Sequence, residues 1–347
     1  MYLRSISSAF PASSFTQREC WEALKTHGRQ AGLKGRSMGL LEKILLGDSG
    51  IDQRHFALGS PESIFQLDAQ QLNEAFEIHA PALASEALQG ALDQADLSAR
   101  DLDALFICSC TGYLCPGISS HVAERVGLGS GAYLQDLVGL GCGAAIPTMR
   151  SADGFLRTFD RELRVATVCV EICSACFYID DDPGVLISLC LFGDGASASI
   201  WTNQPSPGAW QAHGFQTLHR PEDREKIRFV NAGGKLRNQL DRSVPQLAAE
   251  AVGELFAETT GNPDVVLTHT GGRDVLNALS PVLKGHSLLH SEKILRDYGN
   301  VSSPSIMLAL EAQLSQGSED ERLWLTSFGA GFAAHSCNLT KPASIIR

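Results

Sequence analysis

Apolar positions along the chain fall into short runs separated by polar, glycine-bearing turns, and two periodicities alternate. Over 69–94 the apolar residues recur at helical spacing, which predicts one long amphipathic helix. Thr16 with Glu19 has the spacing of a capping box and opens a helix to about Ala31. Ser98 with Asp101 has the same spacing and predicts a short helical turn. Apolar runs of strand length follow at 105–108, 132–138 and 163–172, with a helix over 142–158 after the second. The runs at 186–191 and 196–201 read as two further strands, joined by a tight turn at Phe192-Gly193-Asp194-Gly195 in which Asp194 caps backbone N–H groups. Runs that are apolar throughout suit a sheet covered on both faces.

Thr202-Asn203-Gln204-Pro205-Ser206-Pro207-Gly208 breaks any helix or central strand. It divides the chain into 1–204 and 205–347. The second part repeats the alternation: helix over 244–259, strand over 265–267, helices over 274–283 and 303–314, and closing strands over 323–326 and 331–335. Strand–helix alternation in both parts predicts an α/β architecture with a mostly parallel or mixed sheet, and ligands at the carboxyl ends of strands.

Composition narrows the class. The 347 residues are 44% hydrophobic and 19% charged, as expected of a chain with a sizeable core. A net charge of −11 argues against nucleic acid as a partner. No apolar run approaches the roughly 20 residues that span a bilayer. The stretch over 1–15 lacks the basic start and apolar block of a signal peptide, so a cytoplasmic address is expected. Ten cysteines is a high count. Cys108-Ser109-Cys110 and Cys173-Ser174-Ala175-Cys176 could be paired into a metal site, but Cys108 and Cys110 are expected on one face of a strand and the flanking residues are apolar. Buried or pocket-lining thiols are the expectation, with no metal and no cofactor.

Three residues carry the candidate chemistry. Cys142 lies in Gly139-Leu140-Gly141-Cys142-Gly143-Ala144-Ala145, where a strand ends and a helix begins. A helix N-terminus favours the thiolate, so a nucleophile is expected, against the plainer reading of a packing cysteine. His269 closes a strand before Thr270-Gly271-Gly272, and Asn300 sits in Tyr298-Gly299-Asn300-Val301-Ser302-Ser303-Pro304. Alone, each could be a turn residue. Together they suit one task. The cysteine carries an acyl group; the His and Asn hold the thioester carbonyl of a malonyl unit while carbon dioxide leaves, stabilising an enolate oxygen; backbone N–H groups, that of Cys142 included, meet the second oxyanion. This chemistry needs no carboxylate base, and none is expected beside these motifs.

These segments, with Leu191-Phe192-Gly193-Asp194-Gly195-Ala196, resemble the type III polyketide synthases, the chalcone synthase-like branch of the thiolase superfamily, in order and spacing from about Tyr2 to Leu339. The resemblance is nearer to bacterial members. It implies a five-layered αβαβα thiolase fold of two similar halves, a homodimer, malonyl-CoA as extender, a starter from acyl-CoA or an acyl carrier protein, and a pyrone, resorcinol, phloroglucinol or related product. It implies the catalytic roles of Cys142, His269 and Asn300, and a gatekeeping role for Phe192. Asn238 falls where the family has a second phenylalanine. Cys110, Cys173 and Cys176 stand at pocket positions that are threonines in plant enzymes, which suggests an aliphatic or small starter. Cys110-Thr111-Gly112-Tyr113-Leu114-Cys115-Pro116-Gly117 looks like the dimer-crossing segment, with Cys115 reaching the partner's pocket; Thr111 and Ser302 are expected in the same pocket. CoA contacts are expected from Arg36, Lys43 and Arg54. Thr270 replaces the family's usual proline, and Phe328-Gly329-Ala330-Gly331 its final glycine loop. An initiating ketoacyl-carrier-protein synthase and a non-catalytic partner subunit of the same fold are the alternatives.

Overall fold

In a computed structural model of the protein, which describes residues 1–317 and 319–341, the apolar runs become the strands of one large mixed sheet. The first part runs β1 (Tyr2–Ala9), β2 (Ser14–Thr16), α1 (Gln17–Gln30), α2 (Gly35–Leu45), β3 (Gln53–His55), α3 (Pro61–Ile64), α4 (Ala69–Ala95), β4 (Ala104–Cys108), α5 (Ile118–Val126), β5 (Tyr133–Leu137), α6 (Ala145–Leu156), β6 (Arg164–Glu171), α7 (Pro183–Leu191) and β7 (Gly195–Thr202). The second runs β8 (Gln211–His219), β9 (Ile227–Ala232), β10 (Lys235–Leu240), α8 (Val244–Ala257), β11 (Val265–Thr268), α9 (Arg273–Val282), α10 (Leu289–Tyr298), α11 (Ser305–Leu314), β12 (Arg322–Gly329) and β13 (Ala333–Thr340).

The sheet has nine strands in the order β11-β12-β13-β8-β1-β7-β6-β4-β5. Pairing is parallel for β6/β4, β4/β5 and β11/β12 and antiparallel elsewhere. The turn at 202–208 joins β7 to β8, and β1 lies between them, so the sheet continues across the expected boundary. Both capping boxes form: Thr16 accepts from Glu19 N and Ser98 caps the turn at Ala99–Asp101.

Three cores explain the layering. Leu105 and Ile107 of β4 and Ala166, Val168 and Val170 of β6 face α4 and α5. Phe106, Cys108, Val165 and Cys169 point the other way, onto α6 and α11, which also receive Leu323 and Leu325 of β12 and Leu339 of β13. Val266 and Trp324 then face α8 and α9. Helices, strands, helices, strands, helices: this is the five-layered thiolase fold. It accounts for the apolar runs, because β4, β6, β7 and β12 are covered on both faces.

Two readings change. The run over 186–191 is helix α7, not a strand, opened by Asp182 as N-cap and Pro183 in the first turn. The glycine turn after it therefore joins a helix to β7. Cys110 lies beyond the end of β4, so it does not share a strand face with Cys108. No helix among the described residues is long and apolar enough to cross a membrane.

Candidate active site

β5 leads into the turn that carries Cys142. Gly141–Gly143 form a single tight helical turn ahead of α6, and Cys142 is buried at its centre. The turn interlocks with the end of β12. A Cβ at Gly329 would stand 2.5 Å from Gly143 N, and one at Gly143 would stand 3.0 Å from Phe328 C, so both positions demand glycine. Ser327 Oγ donates to Gly143 O at 3.0 Å.

Ser302 joins the three predicted residues. Its hydroxyl donates to Cys142 Sγ at 3.2 Å. Its backbone N–H donates to Asn300 Oδ1 at 2.9 Å, which leaves the amide nitrogen of Asn300 as the group free to donate. Its carbonyl accepts from the His269 ring. Ser302 adopts φ +56, a left-handed conformation uncommon for a side-chain-bearing residue, and this lets hydroxyl, amide and carbonyl serve three neighbours. His269 N is tied to Thr326 O at 3.0 Å, and its ring meets Phe328 edge-on at 5.2 Å. Nδ1 of that ring has no partner among the described residues.

The carboxylate not foreseen in the sequence is Glu171. It is fully buried at the end of β6. Alternation along that strand puts it on the face of Val165 and Cys169, toward α6 and the Cys142 turn. Thr111 Oγ1 donates to it at 2.9 Å, Cys110 N at 3.0 Å and Ser303 Oγ at 2.5 Å, and Ser302 Oγ lies at 3.3 Å, its one proton shared between Glu171 and Cys142 Sγ. A charged residue ending an otherwise apolar strand was the available signal.

Burial governs the electrostatics. It pushes the Cys142 thiol up to about 12; the Ser302 hydroxyl and the Cys142 backbone N–H work the other way, and nearby Glu171 adds to the rise. Burial therefore works against the thiolate expected from the helix N-terminus. Burial likewise lowers His269 to about 3, so its imidazole is neutral. Glu171 is raised by burial against the hydrogen bonds that favour its charge.

Cys142, Cys110, Phe192 and Asn238 line a cavity of about 820 Å³ with Phe229, Leu236 and Ala330. A second space of only about 20 Å³ lies among Thr111, Cys173, Cys176, Phe192, Asn238 and Ser302. Phe229 borders both spaces, directly across the β9–β10 hairpin from Asn238. An aromatic residue therefore stands beside the polar substitution noted in the sequence. Cys115 is exposed and lines neither space.

The predicted cations separate. Lys43 lines a third cleft of about 470 Å³ with Arg242, Arg273 and Gly271-Gly272; the two arginines were not foreseen. Arg36 is exposed on α2 outside that cleft. Arg54 cannot contact CoA: it is 1% exposed and its guanidinium bonds Gln17, Leu189 O and Phe192 O. Asp194 accepts from Ala57 N and Ser174 N at 2.7 and 2.8 Å, a structural role, but toward two distant segments and not the N–H groups of its own turn.

Comparison with known proteins agrees with this architecture. The family model for FAE1/type III polyketide synthase-like proteins matches residues 8–218. A 1,3,6,8-tetrahydroxynaphthalene synthase of Streptomyces peucetius subsp. caesius is 30% identical over 346 residues, covering 95% of this chain and 90% of that protein. A phloroglucinol synthase of Pseudomonas fluorescens is 24% identical over 340 residues, 94% of this chain and 95% of that protein. The crystal structure of 1,3,6,8-tetrahydroxynaphthalene synthase from Streptomyces coelicolor superposes with a TM-score of 0.86 at 25% identity, covering 99% of this chain and 100% of that one. A family match over more than half of the chain is joined to a relative aligned along nearly all of it: the chain belongs to the type III polyketide synthase family of thiolase-fold, acyl-transferring enzymes.

Proposed function

We propose that Cys142 takes an acyl starter, that malonyl-CoA extends it by decarboxylative Claisen condensation, and that the resulting poly-β-ketide cyclises to a pyrone, resorcinol, phloroglucinol or related aromatic. The observation that carries this reading is the convergence of Cys142, His269 and Asn300 on Ser302, with Cys142 at the wall of the 820 Å³ cavity. In loading, the Cys142 sulfur attacks the starter thioester, and its proton passes by way of the neutral His269 imidazole to the departing CoA sulfur. In extension, malonyl-CoA releases carbon dioxide and its electron pair delocalises onto the thioester oxygen, where the Asn300 amide donates together with the His269 N–H, which exchanges Ser302 O for the substrate oxygen. The carbanion attacks the Cys142 thioester carbonyl, the sulfur leaves, and the lengthened chain remains on CoA. A histidine held near 3 acts here as a dipolar donor rather than a cation.

The same reading gives the other groups their work. Glu171 holds Cys110, Thr111, Ser302 and Ser303 in place. The 20 Å³ space has room for about one water, too little for an acyl chain, so starter and growing chain are directed into the larger cavity. Lys43 and Arg242, with Arg273 paired to Asp48, offer cations to the phosphates of CoA or of a carrier protein's pantetheine arm. A second copy of this chain is the partner for the sheet edge at β5, where Tyr133 and Val138 are exposed, and for nearby Tyr113. Ten free thiols suit the reducing cytoplasm.

The test is mass spectrometry of products from the purified protein with malonyl-CoA alone and with a panel of acyl-CoA starters, using Cys142→Ala as the blank. A Cys142-dependent polyketide is expected. Product formation undiminished in Cys142→Ala would overturn the mechanism.

A further inference from the structure

Arg54 is a buried cation with no carboxylate within ion-pair distance among the described residues, and it needs a physical account. Its surroundings supply one. The last carbonyls of α7 have no partners within the helix, as at any helix C-terminus, and each is met from outside or by the turn. Ser188 O accepts from Phe192 N at 3.1 Å. Leu189 O accepts from Arg54 Nη1 at 2.7 Å, and Cys190 O from Gln17 Nε2 at 2.9 Å. Leu191 O accepts from Asn300 N at 2.9 Å. Arg54 Nη1 also reaches Phe192 O at 2.8 Å, and Arg54 Nε donates to Gln17 Oε1 at 3.0 Å, which fixes the two side chains as a pair.

Asn300 grips the same segment from the other side. Its N–H goes to Leu191 O, and its carbonyl accepts from Gly193 N at 3.1 Å, bracketing Phe192. Gly299 makes room for the arginine stem, while Gly193 makes room for Tyr298 O and lies in ordinary contact with Arg54. A Cβ at Gly299 would stand 2.8 Å from Arg54 Cγ, and one at Gly193 would stand 3.4 Å from Arg54 Cβ. The arginine stem thus packs between the residue after Phe192 and the residue before Asn300. A cation at the carboxyl end of α7 is favoured by the helix dipole. A neutral donor could cap one carbonyl there. Nη1 of Arg54 meets both carbonyls while Nε, held in the same rigid plane, meets the side-chain amide of Gln17.

We infer that Arg54, clamped by Gln17, is a positioning residue that fixes the end of α7 and, through it, the Phe192 gate and the Asn300 amide. This rests on the proposed role of Asn300 at the malonyl thioester. Arg54 touches no substrate, so its loss acts on the step that needs Asn300 and spares the step that does not.

The experiment separates the half-reactions in the full-length protein. Acylation of Cys142 is followed by intact mass with an acyl-CoA starter, and decarboxylation by release of carbon dioxide from malonyl-CoA. In Arg54→Met, decarboxylation is expected to fall about tenfold or more while acylation stays within about twofold of wild type. Arg54→Lys keeps the charge without the fork and should recover little. Arg54→Ala should regain decarboxylation saturably on addition of methylguanidinium, which a general loss of folding would not do. Gln17→Ala, which keeps Arg54, should show an intermediate loss, and it decides the matter alone if the Arg54 variants do not fold. Wild-type decarboxylation in Arg54→Met, or in Gln17→Ala where that variant decides, overturns the inference. So does an equal loss of both half-reactions without rescue. If Cys142→Ala still makes product, the catalytic reading fails first; if it does not and Arg54→Met is unimpaired, only the positioning role fails.

Discussion

At Cys142 two local rules compete. A helix N-terminus lowers a thiol pKa, whereas burial raises it. Burial prevails, with the thiol at about 12, so the resting nucleophile is protonated. Its alkylation by iodoacetamide should therefore accelerate about tenfold per pH unit from pH 7 to 9 with no plateau, since the thiolate fraction is far from saturation. A plateau near pH 6 would show a preformed thiolate. In the proposed mechanism His269 and Asn300 act at the other end of the reaction. His269→Ala and Asn300→Ala should each reduce malonyl-CoA decarboxylation about a hundredfold. His269→Ala should also slow acylation by way of the lost proton shuttle, while Asn300→Ala leaves acylation near wild type. Stopped-flow acylation beside carbon dioxide release distinguishes them, and equal losses in Asn300→Ala would argue against its assignment.

At the scale of elements, short apolar runs were ambiguous where all their neighbours are apolar. Val185, Leu186, Leu189 and Cys190 of α7 are all buried, so the run shows neither a polar stripe nor an alternation. Proline in the first turn was the better signal. The β9–β10 hairpin escaped notice because its residues are mostly half-buried and carry no clean period. Yet it sets the cavity: Phe229 and Asn238 pair across it and stand between the large space and the small one. Phe229→Ala should join the two. The expected outcome is a gain of about tenfold in kcat/KM for a medium-chain over a two-carbon starter, read from a starter panel. An unchanged ranking would place the size limit elsewhere.

For the whole molecule, stability depends on which buried groups change charge. His269 at about 3 and His335 at about 4 lie below the roughly 6.5 of an unfolded histidine. The unfolded chain takes up their protons first, so stability is lost as pH falls below about 6.5. Asp194 has the opposite sign. Burial raises it to about 6, against about 3.9 unfolded, so the folded state gains from its protonation as pH falls from 6 toward 4. Thermal unfolding should therefore show a larger drop in Tm between pH 7 and 5 for Asp194→Asn than for wild type. An equal drop would mean that Asp194 does not titrate in this window.

Local sequence determined what local rules can carry. The strand–helix alternation, the capping boxes at Thr16 and Ser98, and the junction positions of Cys142, His269 and Asn300 depend on residues a few positions apart. Tertiary structure decided what depends on distant residues meeting. Glu171 reaches Ser302 across 131 positions, and Arg54 reaches Phe192 across 138. The division of the cavity and the protonation of Cys142 and His269 also belong to this second class. Burial is a property of what packs around a group, and no spacing along the chain states it.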